Sequence, residues 1–225
     1  MMNKILKDIL AMPYYKNYAA VSGAVHNIAN HEKAVEDVFC KYGIEKNTIR
    51  YTNDAKSKGT VSKKQRDDWL NGEDHSMLSD NTYISQPCGT HDSPDFIVKV
   101  NGKIYFIECK SVDEGAKPVF NSHKATERYI YIFSCKKYNA TTFFMGEDIV
   151  PPEAAKLYDD RQRAHALVDR EHDRILLESG ADRYNRGLSY YNREMYTQSG
   201  SKDKTNYFTH YDRARCEQRV LDLAS

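Results

Sequence analysis

Ser93-Pro94-Asp95-Phe96-Ile97-Val98-Lys99-Val100-Asn101-Gly102-Lys103-Ile104-Tyr105-Phe106-Ile107-Glu108-Cys109-Lys110 is the stretch that decides how this chain is read. Two apolar-rich runs flank Asn101-Gly102. Asn-Gly suits a two-residue type I′ turn, which needs positive φ at both central positions. The stretch therefore predicts a β-hairpin. A two-residue loop fixes the register: Val100 faces Lys103, Val98 faces Tyr105 and Phe96 faces Ile107. Counting one step further puts Asp95 opposite Glu108, at a Cβ separation of about 5 Å. Two carboxylates at that distance repel unless a cation lies between them. Lys110, two residues beyond Glu108, projects from the same face. An Asp, a Glu and a Lys are thus expected to converge at one end of the hairpin.

The second strand is apolar on both sides. Ile104 and Phe106 share a face with Glu108 and Lys110, while Tyr105, Ile107 and Cys109 form the other. Such a strand belongs inside a sheet, where charged groups need a chemical reason. Phosphodiester hydrolysis supplies one. It needs charge stabilisation at the phosphoryl oxygens, an activated water and help for the leaving oxygen. Mg²⁺ is typically held by one or two carboxylates and substrate phosphate. Asp95 and Glu108 supply the carboxylates, the Cys109 backbone carbonyl a neutral oxygen, and Lys110 a cation to orient the attacking water.

Bulk properties agree with a folded domain. The chain has 225 residues, 40% of them hydrophobic and 29% charged. No apolar run reaches the roughly 18–20 residues of a membrane span. Residues 1–12 read as amphipathic and not as a signal peptide, because Asp8 interrupts the apolar stretch, so a cytoplasmic location is expected. The five scattered cysteines form no C-x-x-C, which argues against a zinc site or a disulfide framework. The formal net charge of +1 hides an uneven distribution. Lys56, Lys58, Lys63, Lys64 and Arg66 precede any acid up to Asp67.

Around the hairpin, the pattern predicts a helix from Asn30 to Tyr42, a short helix near Trp69 and a short strand at 82–84. Strands are expected at 129–134 and 141–145, and a helix from about Glu153 to Glu178. Residues 115–128 read as a connection with little regular structure. The fold class is therefore α/β: a central mixed β-sheet flanked by helices, with a helical C-terminal part.

Pro94-Asp95, twelve residues, then Glu108-Cys109-Lys110 resembles the PD-(D/E)XK nuclease motif. The surrounding Tyr83-Ile84-Ser85-Gln86-Pro87-Cys88-Gly89-Thr90, Lys117-Pro118-Val119-Phe120-Asn121, Ile130-Tyr131-Ile132-Phe133-Ser134 and Phe144-Met145-Gly146-Glu147-Asp148 are similar to the core of type II restriction endonucleases, and specifically to the HinfI/HhaII group, which cuts at GANTC. The resemblance covers about residues 80–150. The group has Gly-Ser-Gln where this chain has Gly89-Thr90-His91. The resemblance implies one endonuclease domain over 1–225. Its catalytic core spans about 28–150, and a recognition and dimerisation part spans about 151–225. It further implies a Mg²⁺-dependent homodimer, with Mn²⁺ able to substitute, that cuts double-stranded DNA to leave 5′-phosphate and 3′-hydroxyl ends. Asp95, Glu108 and Lys110 would be its catalytic residues, and a separate cognate methyltransferase would accompany it.

Further candidates follow from residue type. Glu32 and Glu36 share a helix face, and Glu36, beside the apolar stripe, is the preferred additional metal ligand. Gln86, Thr90 and His91 precede the catalytic strand and are placed to meet a phosphate or a metal-bound water. Asn121 and Ser122 are weaker backbone contacts. Lys56, Lys58, Lys63, Lys64 and Arg66 read as a basic arm for phosphates. Arg183, Asn185, Arg186, Asn192 and Arg193 are the base-reading candidates, because Arg pairs with guanine and Asn with adenine in the major groove. Leu157, Ala164, Val168 and Ile175 form a narrow stripe that packs either on the sheet or in a dimer. Two rival classes use the same residues: a junction-resolving or repair nuclease, and a DNA-binding protein without catalysis.

Overall fold

The computed structural model describes residues 1–16, 31–55, 57–115, 117–121, 125–180, 195–196, 198 and 206–225. Of the residues singled out in the sequence, Asn30, Lys56, Ser122, Arg183, Asn185, Arg186, Asn192 and Arg193, and the side chain of Asn121, lie outside the described residues.

In chain order the elements are α1 (Met2–Leu10), α2 (His31–Lys41), β1 (Glu45–Lys46), α3 (Lys63–Leu70), β2 (Thr82–Ser85), β3 (Phe96–Val100), β4 (Lys103–Val112), β5 (Phe120–Asn121), β6 (Ile130–Cys135), β7 (Ala140–Met145), α4 (Pro152–Ser179), β8 (Met195–Tyr196) and α5 (Arg213–Leu223). Six strands form one mixed sheet in the order β1-β2-β3-β4-β6-β7. The β1/β2 and β4/β6 pairs are parallel and the others antiparallel.

The hairpin folds as its sequence dictates. Asn101 and Gly102 have φ of 52° and 72°, and the register pairs Val100 with Lys103, Val98 with Tyr105 and Phe96 with Ile107. β4 is central, between β3 and β6, and both its faces are covered. On one face Phe96, Val98, Tyr105, Ile107 and Ile132 meet Ile5, Leu6 and Ile9 of α1, Val35, Val38 and Phe39 of α2, and Val220 of α5. On the other, Ile97, Phe106, Tyr131, Phe133 and Phe144 pack with Val61, Trp69 and Phe208. Each fully buried aliphatic or aromatic side chain contributes about 1.5–3 kcal/mol, so the sheet is the stable platform beneath the charged groups. Lys99 is buried at the rim, where it donates to the carbonyls of His75 and Leu78 and ties that loop to the sheet.

Parallel pairing of β4 with β6 needs a long crossover, and the 113–129 segment provides it. The sequence predicts little regular structure over 115–128, but the segment holds the two-residue strand β5, paired with β8. Neither piece is long enough to carry a periodic signal. All five cysteines are free. No helix among the described residues is long and apolar enough to cross a membrane.

Candidate active site

Asp95 lies one residue before β3, where the ladder ends. Its Oδ2 accepts the Cys109 N–H at 2.7 Å, which ties it to β4 at the level of Glu108. Glu108 is buried on β4, and Lys110 Nζ donates to its Oε1 at 2.7 Å. Gln86 joins from the end of β2. Its Nε2 donates to Asp95 Oδ1 at 3.0 Å and to Glu32 Oε2 at 2.7 Å. Three carboxylates and one ammonium, drawn from α2, the residue before β3, and β4, therefore meet at the open end of the hairpin.

Electrostatics at this point are unfavourable in a consistent way. Burial, followed by repulsion from Glu108, pushes the Asp95 carboxyl up to about 7, against the Cys109 N–H, Lys110 and Gln86. Burial also raises Glu108, with Lys110 pulling it back. Glu32 is raised by burial and by Asp95. Carboxyls pushed up together by burial and by one another are poised for a cation. Among the described residues no three His, Cys, Asp or Glu side chains are arranged to hold a metal ion as they stand. Gln86, Lys110 and the Cys109 N–H donate to one oxygen each of Glu32 and Glu108 and to both oxygens of Asp95. The donor set is made of hard oxygens and suits Mg²⁺, which needs only one or two carboxylates from protein.

Glu36, the preferred ligand from sequence, is elsewhere. It pairs with Lys46 at 3.0 Å and Lys33 at 3.7 Å, while Glu32, one turn earlier on α2, reaches Gln86. Which turn of α2 lies over the strand ends depends on how the helix docks, and helix periodicity does not encode that. His31, in the same turn, is buried near the Lys110 backbone. Burial pushes its imidazole down to about 4, against the pull of the Lys110 carbonyl. Nothing in the sequence marked it.

The turn that carries Gln86 is built with care. Gln86 itself has φ 49°, its N–H donates to the Asp95 carbonyl at 2.7 Å, and its carbonyl accepts from Gly89. The 57–61 segment lies against this turn, with Val61 N–H donating to the Pro87 carbonyl. A Cβ at Gly59 would fall 2.0 Å from the Pro87 oxygen and 2.6 Å from Cys88. Gly59→Ala is therefore expected to displace the Gln86 turn and lower stability by about 1–3 kcal/mol. Urea unfolding measures it, and an unchanged midpoint would show that the contact is not tight.

The basic run is not an uncompensated arm. From Lys63 onward it is helix α3, capped by Ser62. Lys63 pairs with Asp92, Lys64 with Asp68, and Arg66 with Asp67, at 2.6–2.8 Å. Arg66 also donates to the Ser93 carbonyl at 2.9 Å, so it props the loop that leads into Asp95. Lys58 sits with its Cβ close to Gly89. Thr90 and His91 are exposed in the turn between Gly89 and Asp92. Compared with known protein families, with characterised proteins and with solved structures, the chain has no significant match. The fold and site define an α/β protein with a buried, carboxylate-rich cluster at the edge of its central strands.

Proposed function

We propose that the cluster at Asp95, Glu108 and Lys110 is a Mg²⁺-dependent phosphodiesterase site and that the chain is a type II restriction endonuclease of the PD-(D/E)XK kind. One observation carries the reading: a hairpin motif of Pro-Asp and Glu-x-Lys folds with its three charged groups in one buried cluster, joined there by Glu32 and Gln86. Asp95, Glu108 and the Cys109 carbonyl would hold Mg²⁺, with Glu32 as an outer carboxylate. The ion, when bound, supplies charge stabilisation for the phosphoryl oxygens and acidifies a water.

The chain's own groups do the rest. Gln86 keeps Glu32 and Asp95 on one amide, so two carboxylates stay together before a cation arrives. Lys110 offers three donors to the attacking water and offsets phosphate charge. Its pairing with Glu108 keeps the ammonium at the site while no substrate is present. Double-stranded DNA is the substrate, cut by a homodimer at a short palindrome-like site such as GANTC, with Mn²⁺ able to replace Mg²⁺. Lys58 and the exposed Lys63 and Lys64 remain the candidate phosphate contacts on described residues.

Incubation with phage-length DNA and Mg²⁺, followed by sequencing of the fragment ends, tests this. The expected result is a discrete set of fragments sharing one short site, with 5′-phosphate ends. Nicking confined to four-way junctions would point to the junction-resolving reading instead. Tight DNA binding without hydrolysis in Mg²⁺ or Mn²⁺ would leave a binding protein.

A further inference from the structure

Gln86 lies between two carboxylates of the cluster. Its side-chain Nε2 donates to Glu32 Oε2 at 2.7 Å and to Asp95 Oδ1 at 3.0 Å, so both hydrogens of one amide are engaged by acids. The two oxygens it joins are no farther apart than those two bonds laid end to end. The main chain holds the residue there independently of its side chain. Its N–H donates to the Asp95 carbonyl at 2.7 Å, and its carbonyl accepts from the Gly89 N–H at 2.9 Å. Its φ of 49° is one that residues other than glycine seldom adopt, and unfavourable backbone angles of this kind persist where the position serves a site.

A neutral amide at this position bears on the choice of ion. It offers hydrogens but no charge, so it restrains Glu32 without neutralising it. Mg²⁺ is small, keeps near-octahedral geometry, gives up water reluctantly and needs only one or two carboxylates from protein. Ca²⁺ takes about six to eight oxygens at roughly 2.3–2.6 Å and binds more tightly as charged ligands are added. Asp95 and Glu108 satisfy the needs of the smaller ion. The larger one would gain from Glu32 as well, and Glu32 is already within reach of Asp95 through a single amide. Glu36, one turn further along α2, is engaged by Lys46 and Lys33.

We propose that Gln86 sets the ion selectivity of the cluster: its amide holds Glu32 away from the ion that Asp95 and Glu108 would bind, and thereby favours Mg²⁺ over Ca²⁺. The proposal rests on the reading of the cluster as a Mg²⁺ site. Gln86 is then a positioning residue that acts through Glu32. Its effect is read in the ratio of two affinities, which a role confined to supporting the turn would not move.

Thermal melting of the full-length chain at rising concentrations of MgCl₂ or CaCl₂ tests it, because an ion that binds only the folded state raises stability according to its affinity. Gln86→Gly suits the positive φ and leaves both main-chain bonds of the turn in place, and Gln86→Ala is the companion variant. Both should bind Ca²⁺ about tenfold more tightly or better, as expected for one more charged ligand, and change Mg²⁺ affinity by less than about threefold. Glu32→Gln added to either variant should cancel the Ca²⁺ gain. On its own, Glu32→Gln should leave the ratio of the two affinities within about twofold of wild type, since the pair then acts as one coupled unit. Equal changes for the two ions, or a Ca²⁺ gain that survives Glu32→Gln, would overturn the proposal and leave the Mg²⁺ reading standing. A wild type stabilised by neither ion would remove that reading and the proposal with it.

Discussion

Asp95→Asn is expected to make the metal-free protein more stable and to abolish its cleavage. Asp95 is a buried carboxyl whose folded-state pKa is pushed up to about 7, against about 3.9 in an unfolded chain. Between those values the folded state holds a proton that the unfolded state has released, so stability falls as pH rises through this window. Above pH 7 the carboxylate is charged in both states and the full penalty remains. An amide removes it. The expected gain in EDTA at pH 8 is about 1–3 kcal/mol, below the full value of the shift because the amide satisfies fewer of the neighbouring donors. His31 works with the opposite sign. Its pKa is lowered to about 4, so it costs stability only as pH falls below its ordinary value near 6.5, and pH 8 is clear of it. Mg²⁺ should raise the melting temperature of the wild type and leave that of the variant unchanged. Cleavage should fall by ~10³-fold or more, the scale of several kcal/mol of lost metal-assisted stabilisation. A variant less stable than wild type at pH 8 in EDTA would mean that Asp95 is a structural acceptor for the Cys109 N–H and not a strained ligand.

Lys110→Met should act in the other direction on stability. The Lys110 and Glu108 side chains are 16% and 6% exposed, and 2.7 Å separates their charged atoms. Removing one member of such a buried pair leaves a charge whose desolvation is no longer offset, a loss of about 3–5 kcal/mol where burial is complete. Lys110 keeps some exposure, so about 2–4 kcal/mol is expected at pH 8. Glu108→Gln combined with Lys110→Met should recover much of it, because no charge is then left alone. Chemical denaturation of the two single variants and the double variant measures the coupling. Cleavage should be lost in all three by about 10²–10⁴-fold, the range for a positioned proton-handling group. A double variant as unstable as Lys110→Met would show that the ammonium's packing matters more than its charge.

The hairpin was legible because its determinants are local. Asn101-Gly102 fixes the turn and the turn fixes the register, so Asp95 and Glu108 could be placed opposite each other by counting. The two apolar faces of β4 were legible for the same reason, since side chains alternate with period two. Glu32 was not, because its arrival beside Gln86 depends on the docking angle of α2, and its neighbour Glu36 fits the helical pattern equally well. Arg66 read as a phosphate contact, since nothing in the sequence foretold that it would fold back onto the Ser93 carbonyl. Lys63 met Asp92 across a separation of 29 residues, beyond any charge-run reading. The stripe of Leu157, Ala164, Val168 and Ile175 on α4 was visible in the sequence, but only the structure shows that it is exposed.

Conversion of a supercoiled plasmid to nicked and linear forms, with purified wild type and Asp95→Ala compared in Mg²⁺ and in EDTA, tests the central claim most directly. Wild type in Mg²⁺ should cut both strands, and the other three conditions should leave the plasmid supercoiled. Cleavage by Asp95→Ala at the wild-type rate, or by wild type in EDTA, would contradict the assignment of this carboxylate cluster as the active site.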